Sequence, residues 1–321
     1  MKEYTIGVDL GGTNIGAGLV DENGTIVTSA SCKTNLPRPA EEVENDIAAL
    51  CREVAEKAQI NFAAQVKLVG IGTPGSVNAK EGVVEFNANF GYRNWRLVEK
   101  LEALLGCKVM IENDANAAAY GEYIAGAARG VQDAIMITLG TGIGGGIIID
   151  GKIYGGFNGL GAELGHTVIV KDGRSCMCGR NGCWEKYASS RALAEDTQKA
   201  MLAHKDNMMW QLVGGDIEKV NARTAFDAMR AGDTLAKEVV DSFISYVACG
   251  ITNVVNSFQP EILCIGGGIS KEGETLLAPI RALVDKEDYA RGGEHRTKIV
   301  AAQLRNDAGI IGAAMLGTQA K

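Results

Sequence analysis

Asp133-Ala-Ile-Met-Ile-Thr-Leu139 runs into Gly140-Thr-Gly-Ile-Gly-Gly-Gly146, and that into Ile147-Ile-Ile149-Asp-Gly-Lys152. Residues 140–145 match the spacing GxGxxG. A dinucleotide-binding loop of that spacing needs a helix directly after it, so that the helix N-terminus faces the pyrophosphate. Here a β-branched run and an Asp150-Gly151 turn follow instead, which is how a hairpin reads. That context rejects a Rossmann site. No GxxxxGK[ST] occurs in the chain, so a P-loop is excluded as well.

The same order stands near the N-terminus. Tyr4–Leu10 is a β-type run that ends in Asp9-Leu-Gly-Gly-Thr13. Ile15–Val20, the turn Asp21-Glu-Asn-Gly24 and a third run over Thr25–Ser31 follow. Helical spacing of Val43, Ile47, Leu50 and Val54 predicts a helix over about 40–59, and strands are expected at 66–72 and 108–111. Further helices are expected near 95–105, 115–125, 190–203, 222–231, 234–258 and 308–318, with strands at 261–265 and 298–302. Strand, glycine hairpin, strand, strand, then helix and strand therefore occur twice, starting near residues 4 and 133. The expectation is an α/β protein of two related lobes with a cleft between them. The first lobe spans 1–114 and is joined by the C-terminal helix at about 305–321; the larger second lobe spans 115–304. A single doubly wound sheet would need helices where the two hairpins stand.

Composition sets outer limits. The chain has 321 residues, 46% hydrophobic and 22% charged, with a net charge of −7 and a pI of about 5.2. A nucleic-acid footprint is not expected from such an acidic balance, and no basic run overturns it. Lys2, Glu3 and Asp9 break any signal peptide, and the glycine-rich stretch 134–149 is too short to span a bilayer. A soluble, cytoplasmic protein without a membrane partner is expected. Cys32, Cys51, Cys107, Cys249 and Cys264 stand singly in apolar segments, as small buried side chains of a reducing compartment do.

The densest chemistry lies in 161–187. His166, Cys176, Cys178 and Cys183 fall there, with Gly179 and Gly182 letting the chain fold tightly between the thiols. Three thiolates and an imidazole form the closed tetrahedral set of a structural Zn²⁺; the alternative is buried cysteines that never meet. Glu163 and Glu185 bracket the set. Each alone would read as a solvated charge, but beside His166 they are groups that bind sugar hydroxyls.

Glycine turns at strand ends, at 11–12, 140–146 and 266–268, expose backbone N–H groups to an anion, and Thr13 and Thr141 add hydroxyls. Together they point to a phosphate-bearing ligand, and Asp9 would suit a water-mediated Mg²⁺ contact. Asp114 stands where a strand meets a helix. It reads as an N-cap or, at a cleft edge, as the carboxylate that accepts a hydroxyl proton during phosphoryl transfer.

These residues resemble the ROK family of bacterial sugar kinases and repressors. The likeness covers essentially the whole chain: Asp9-Leu-Gly-Gly-Thr13, Gly72-Thr-Pro-Gly75, Glu112-Asn-Asp114, Leu139–Gly146, Glu163-Leu-Gly-His166, Cys176-Met-Cys-Gly-Arg-Asn-Gly-Cys-Trp-Glu185 and Gly266-Gly-Gly-Ile-Ser270. It is nearest to the family's ATP-dependent glucokinases. The resemblance implies an actin-like (ribonuclease H-like) fold with a duplicated βββαβαβα core, and a homodimer. It implies a structural Zn²⁺ on His166, Cys176, Cys178 and Cys183, with the second nitrogen of His166 facing the sugar. It further implies that Asp114 deprotonates the 6-hydroxyl of glucose, which attacks the γ-phosphate of ATP·Mg²⁺. Gly75, Asn113, Glu163, His166 and Glu185 would hold the sugar. Asp9, Gly11, Gly12, Thr13, Thr141 and Gly267 would hold the nucleotide. Asn14 stands where many members carry lysine, and Trp184 where an aliphatic residue precedes the glutamate. The family's repressors carry their DNA-binding module ahead of the first phosphate loop, and eight residues precede Asp9 here. The alternatives are a kinase for N-acetylmannosamine, N-acetylglucosamine, fructose or allose, and a sugar-binding regulator without turnover.

Overall fold

The computed structural model describes residues 2–87 and 89–319. Thirteen strands are present among them: β1 (Tyr4–Leu10), β2 (Asn14–Val20), β3 (Ile26–Lys33), β4 (Val66–Thr73), β5 (Ser76–Asn78), β6 (Val83–Asn87), β7 (Tyr92–Trp95), β8 (Lys108–Asn113), β9 (Ala134–Leu139), β10 (Ile143–Ile149), β11 (Lys152–Ile153), β12 (Ile262–Gly266) and β13 (Lys298–Ala301). The helices are α1 (Ala40–Lys57), α2 (Phe62–Gln65), α3 (Leu97–Leu105), α4 (Asp114–Ala125), α5 (Glu185–Ala188), α6 (Ser190–Ala203), α7 (Met209–Leu212), α8 (Ala222–Arg230), α9 (Thr234–Phe258), α10 (Glu274–Glu287) and α11 (Asp307–Ala314).

The two large sheets have the order β3-β2-β1-β4-β8 and β11-β10-β9-β12-β13. Counted within each half, both read third, second, first, fourth, fifth. Two antiparallel hairpins followed by parallel crossovers give this order, and it is the doubled ribonuclease H-type core of the actin-like fold. A third sheet, β5-β6-β7, was not anticipated from the sequence. Its strands are short, and Val77, Val84, Asn87 and Trp95 are their buried residues.

Two compact units divide the chain. The first comprises residues 1–136, 145–162 and 302–321; the second comprises 137–144 and 163–301. The first thus runs past Asp114 and takes in all of α4. Its core lies around Ile6, Val8, Leu19, Ile47, Val54, Val69, Ile71 and Leu101. Parallel register sets Gly7 opposite Gly70, and this bare strip lets α11 lie against the sheet. A Cβ on Gly7 would stand 1.8 Å from the carbonyl oxygen of Ile310, and one on Gly70 1.8 Å from that of Ala313.

Helices α4 and α11 approach as closely. A Cβ on Gly121 would come within 2.1 Å of Ala308 O, and one on Gly312 within 1.7 Å of Ala117 O. Glu122, wholly buried, pins the pair. Its Oε2 accepts the N–H of Ala127 (2.8 Å) and of Gln303 (3.1 Å), and its Oε1 that of Leu304 (2.7 Å). Three amide donors satisfy a carboxylate that no cation among the described residues meets. The C-terminal end of α4 is therefore held against the segment that leads into α11.

In the second unit α9 packs against α6, α8 and α10. It is long and apolar enough to cross a membrane by length and composition, and more than half of its most apolar stretch is buried inside the protein. Asp233 caps it, accepting the N–H of Ala236 at 2.9 Å.

Candidate active site

In the first unit β1 delivers Asp9, β4 delivers Thr73 and then Gly75, and β8 delivers Glu112 and Asn113 to the first turn of α4. The parallel register Asp9↔Gly72 and Thr73↔Asn113 brings these strand ends side by side. The cap of α4 is Asn113, not Asp114: its Oδ1 accepts the N–H of Ala115 (2.9 Å) and of Asn116 (3.3 Å). Its amide also donates to Gly75 O at 3.4 Å. Gly75 has φ +106°, and a Cβ there would stand 2.3 Å from Phe86 O, so only glycine fits. Asp114, relieved of capping, is the first helical residue, with Oδ1 2.9 Å from the N–H of Ala115.

Burial raises the pKa of Asp114 above the ordinary carboxylate range. Asp9 is pushed up to about 6, first by burial and then by the negative charge of Asp114. The two carboxyls therefore share one poorly solvated region. Behind Asp9 stands α11, where a Cβ on Gly309 would lie 3.3 Å from the carboxyl carbon. Glu112, also raised by burial, accepts the N–H of Asn113 (2.9 Å) and the side-chain amide of Asn116 (3.0 Å). Neither Glu112's bonding nor Asn116 was evident from the sequence.

Gly11, Gly12 and Thr13 form the β1–β2 turn, with Gly12, Thr13 and Asn14 exposed. The turn is fixed from behind by Thr34, whose hydroxyl donates to Gly11 O (2.7 Å) and whose N–H donates to Thr13 O (2.9 Å). Nothing local in the sequence marks Thr34 for this task. Asn14 pairs with Lys33 across β2 and β3.

In the second unit Thr141 lies exposed at the tip of the second glycine turn. Gly267, at φ +84°, lies against it: a Cβ would stand 2.4 Å from Leu139 O. His166 comes from a single 3₁₀ turn, Leu164–His166. Glu163, exposed, precedes that turn, and its carbonyl accepts the N–H of His166 at 3.0 Å.

The four expected metal ligands do meet. Their ligand atoms all lie within 4.8 Å of one another. Tetrahedral zinc with Zn–S of about 2.3 Å and Zn–N of about 2.0 Å sets ligand atoms about 3.5–3.8 Å apart. Cys178 Sγ and Cys183 Sγ are 3.6 Å apart, as are Cys176 Sγ and His166 Nδ1. The donor set and its spacing fit Zn²⁺, with Nδ1 turned inward and Nε2 left on the outer side of the ring. The loop is also tied without metal: Arg174 Nη1 donates to Lys186 O and to Asp196 Oδ2, each at 2.9 Å. Of the remaining cysteines, Cys51 and Cys264 are buried, whereas Cys32, Cys107 and Cys249 are only half-buried.

Glu185 opens α5 directly after Trp184. The indole is fully buried, donates from Nε1 to Tyr246 O at 2.8 Å, and fills space left by Gly250, whose Cβ would lie 2.0 Å from the ring. Trp184→Ala should therefore cost about 3–5 kcal/mol in urea unfolding, and Gly250→Ala about 1–3 kcal/mol through overpacking. A loss below about 1 kcal/mol for Trp184→Ala would mean that the ring is not a principal anchor of α5.

Comparison with known proteins places this geometry. The model of the ROK family matches residues 5–320. The glucokinase of Thermotoga maritima is 39% identical over 317 residues, covering 98% of this chain and 97% of that one. The glucokinase of Streptomyces coelicolor is 39% identical over 322 residues, 98% of each. The crystal structure of a ROK family glucokinase from Streptomyces griseus, in complex with glucose and AMPPNP, is 40% identical, with a TM-score of 0.81 over 99% of this chain and 100% of that one. On a match that runs nearly from end to end, the chain belongs to the ROK family.

Proposed function

We propose that the chain is an ATP-dependent hexose kinase that converts D-glucose to glucose 6-phosphate. The observation that carries this reading is Asp114 itself: half-buried and poorly solvated, freed from capping by Asn113, and set on the first turn of α4 beside Gly75 and Asp9. In the step it would serve, the sugar 6-oxygen forms a bond to the γ-phosphorus while its proton passes to the Asp114 carboxylate. The bond from that phosphorus to the β,γ-bridging oxygen breaks, and ADP leaves with the electron pair.

Gly75, Asn113, Glu163, His166 and Glu185 would hold the sugar; Gly11, Gly12, Thr13, Thr141 and Gly267 would hold the phosphates. Asp9 would face the Mg²⁺ that arrives with ATP, through water. Zn²⁺ on His166, Cys176, Cys178 and Cys183 would act as a brace that fixes the loop between His166 and Glu185. A cytoplasmic homodimer is the expected setting. The decisive experiment is ADP release measured across a panel of glucose, mannose, fructose, allose, N-acetylglucosamine and N-acetylmannosamine. Glucose should give the highest kcat/KM. A higher value for another sugar would reassign the substrate, and no turnover with any would remove the kinase reading.

The two raised carboxyls give a pH dependence of definite sign. Asp114 accepts a proton only when ionised, so kcat/KM should fall with decreasing pH along a limb lying above the usual carboxylate range. For stability, Asp9 titrates near 3.8 unfolded and at about 6 folded. The folded state thus binds more protons between those values, and this group's contribution worsens as pH rises from 3.8 to about 6, then stays level. At about 1.4 kcal/mol per pH unit the cost at neutral pH is about 3 kcal/mol. Asp9→Asn should accordingly raise stability at pH 7.5 by up to that amount and change it little near pH 4. Equal effects at both pH values would contradict a poorly solvated site that resists ionisation.

A further inference from the structure

The second glycine turn is held by bonds from several sides. Ser190 N–H donates to Gly140 O at 2.8 Å, and Gly140 N–H to Gly142 O at 3.0 Å. Gly144 N–H donates to Thr138 Oγ1 at 3.1 Å. One amide of the turn is engaged by a charged side chain from elsewhere: Ile143 N–H donates to Glu185 Oε2 at 2.9 Å. The carboxylate lies directly over Gly142, where a Cβ would come within 2.2 Å of Oε2 and 3.0 Å of the carboxyl carbon. Glycine at 142 is therefore required by Glu185, not only by a ligand's approach.

A carboxylate is a costly neighbour for a turn that is to receive phosphates, because it repels them and occupies an amide they could use. Its position over Gly142 calls for a compensating role. We propose that Glu185 is a positioning residue that holds the Gly140–Gly144 turn through Ile143 N–H and thereby couples sugar occupancy to nucleotide binding. This rests on the reading above, in which Glu185 also receives a sugar hydroxyl. The charge-assisted bond to Ile143 is of the stronger kind. A hydroxyl seated on the same carboxylate immobilises it and, through Ile143, the turn. The ordering cost is then met once, and the nucleotide binds a turn already set. Linkage makes the effect reciprocal, so that nucleotide tightens sugar by the same factor.

The test is calorimetric titration of the full chain with the non-hydrolysable analogue AMPPNP and Mg²⁺, without and with saturating glucose. In the native chain glucose should tighten AMPPNP about 5- to 150-fold, the usual span for coupled sites. Gly142→Ala, whose methyl displaces the carboxylate, should bring that ratio to about one. Glu185→Gln keeps an oxygen that can accept the Ile143 N–H, so it should retain most of the ratio even though glucose itself binds more weakly. Should Gly142→Ala fail to fold, Glu185→Asp takes its place: it keeps the charge but draws it back by one methylene, and the ratio should again collapse. A purely structural role would weaken both ligands without changing the ratio. If the native chain binds both ligands with a ratio near one, or if the displaced variant keeps the native ratio, the coupling role is overturned and the kinase reading stands. If the native chain binds neither ligand, both fall.

Discussion

Asp114→Asn should leave the chain folded and able to bind glucose, and should lower kcat by about 10²- to 10⁴-fold or more. Asparagine is nearly isosteric, and its carbonyl can still face the Ala115 N–H that Asp114 Oδ1 meets at 2.9 Å. Asn113 remains the cap of α4, so the helix start does not depend on the replaced side chain. What is lost is the proton acceptor. The carboxyl is raised by burial and adds to the charge that raises Asp9, so the neutral variant should be at least as stable as the parent. A fall in kcat with little change in glucose affinity is the signature of an interaction that matters only in the transition state. Steady-state ADP release, glucose titration and thermal unfolding on the same preparation separate these outcomes. Near-normal turnover would remove Asp114 from the base role. A large fall in stability would make it structural.

Much of this arrangement was legible in the chain. The glycine hairpin after Leu139 excluded a dinucleotide fold because the wrong element follows it, and the repeated order then fixed both sheets. Helices α6 and α9 run over the ranges expected, 190–203 and 234–258, and Ser189 and Asp233 cap their N-termini locally. The meeting of His166, Cys176, Cys178 and Cys183 was legible because three of them lie within one short loop. Sequence reading failed where the partner is remote and is backbone. Glu122 looks like any helical glutamate, yet it is wholly buried and bound to amides of residues 303 and 304. Thr34 and Glu185 likewise find carbonyls or amides more than twenty residues away. No local period encodes such contacts, because a carboxylate or hydroxyl that accepts or donates to backbone needs no particular neighbour in sequence. The cap of α4 was misassigned for a related reason. Asn and Asp are both good caps, and only the backbone angles of 113 and 114 separate them.

Chelation should have the second large effect. Purified chain is expected to carry about one zinc, since His166, Cys176, Cys178 and Cys183 form a single closed set. Around these ligands the loop has little apolar support: Met177 is 94% exposed, and Cys178 and Gly179 are exposed as well. Arg174 ties one end to Asp196 and Lys186, but a part-exposed ion pair is worth about 1 kcal/mol or less. Metal removal should therefore open the loop locally while β12, α9 and α10 stay folded. Trypsin reports this directly, because Lys171, Arg174 and Arg180 all lie inside the loop. The metal-loaded chain should resist cleavage there and the chelated chain should be cut. Glucose affinity should fall with the opening, because His166 and Glu185 stand at its two ends. AMPPNP affinity measured without glucose should fall much less, since Thr141 and Gly267 belong to strand ends outside the loop. Cys178→Ser should reproduce the chelated state at ordinary zinc concentrations, and added zinc should restore only the parent chain. A metal-free chain that resists trypsin and binds glucose like the loaded one would show that the four side chains meet without a metal to hold.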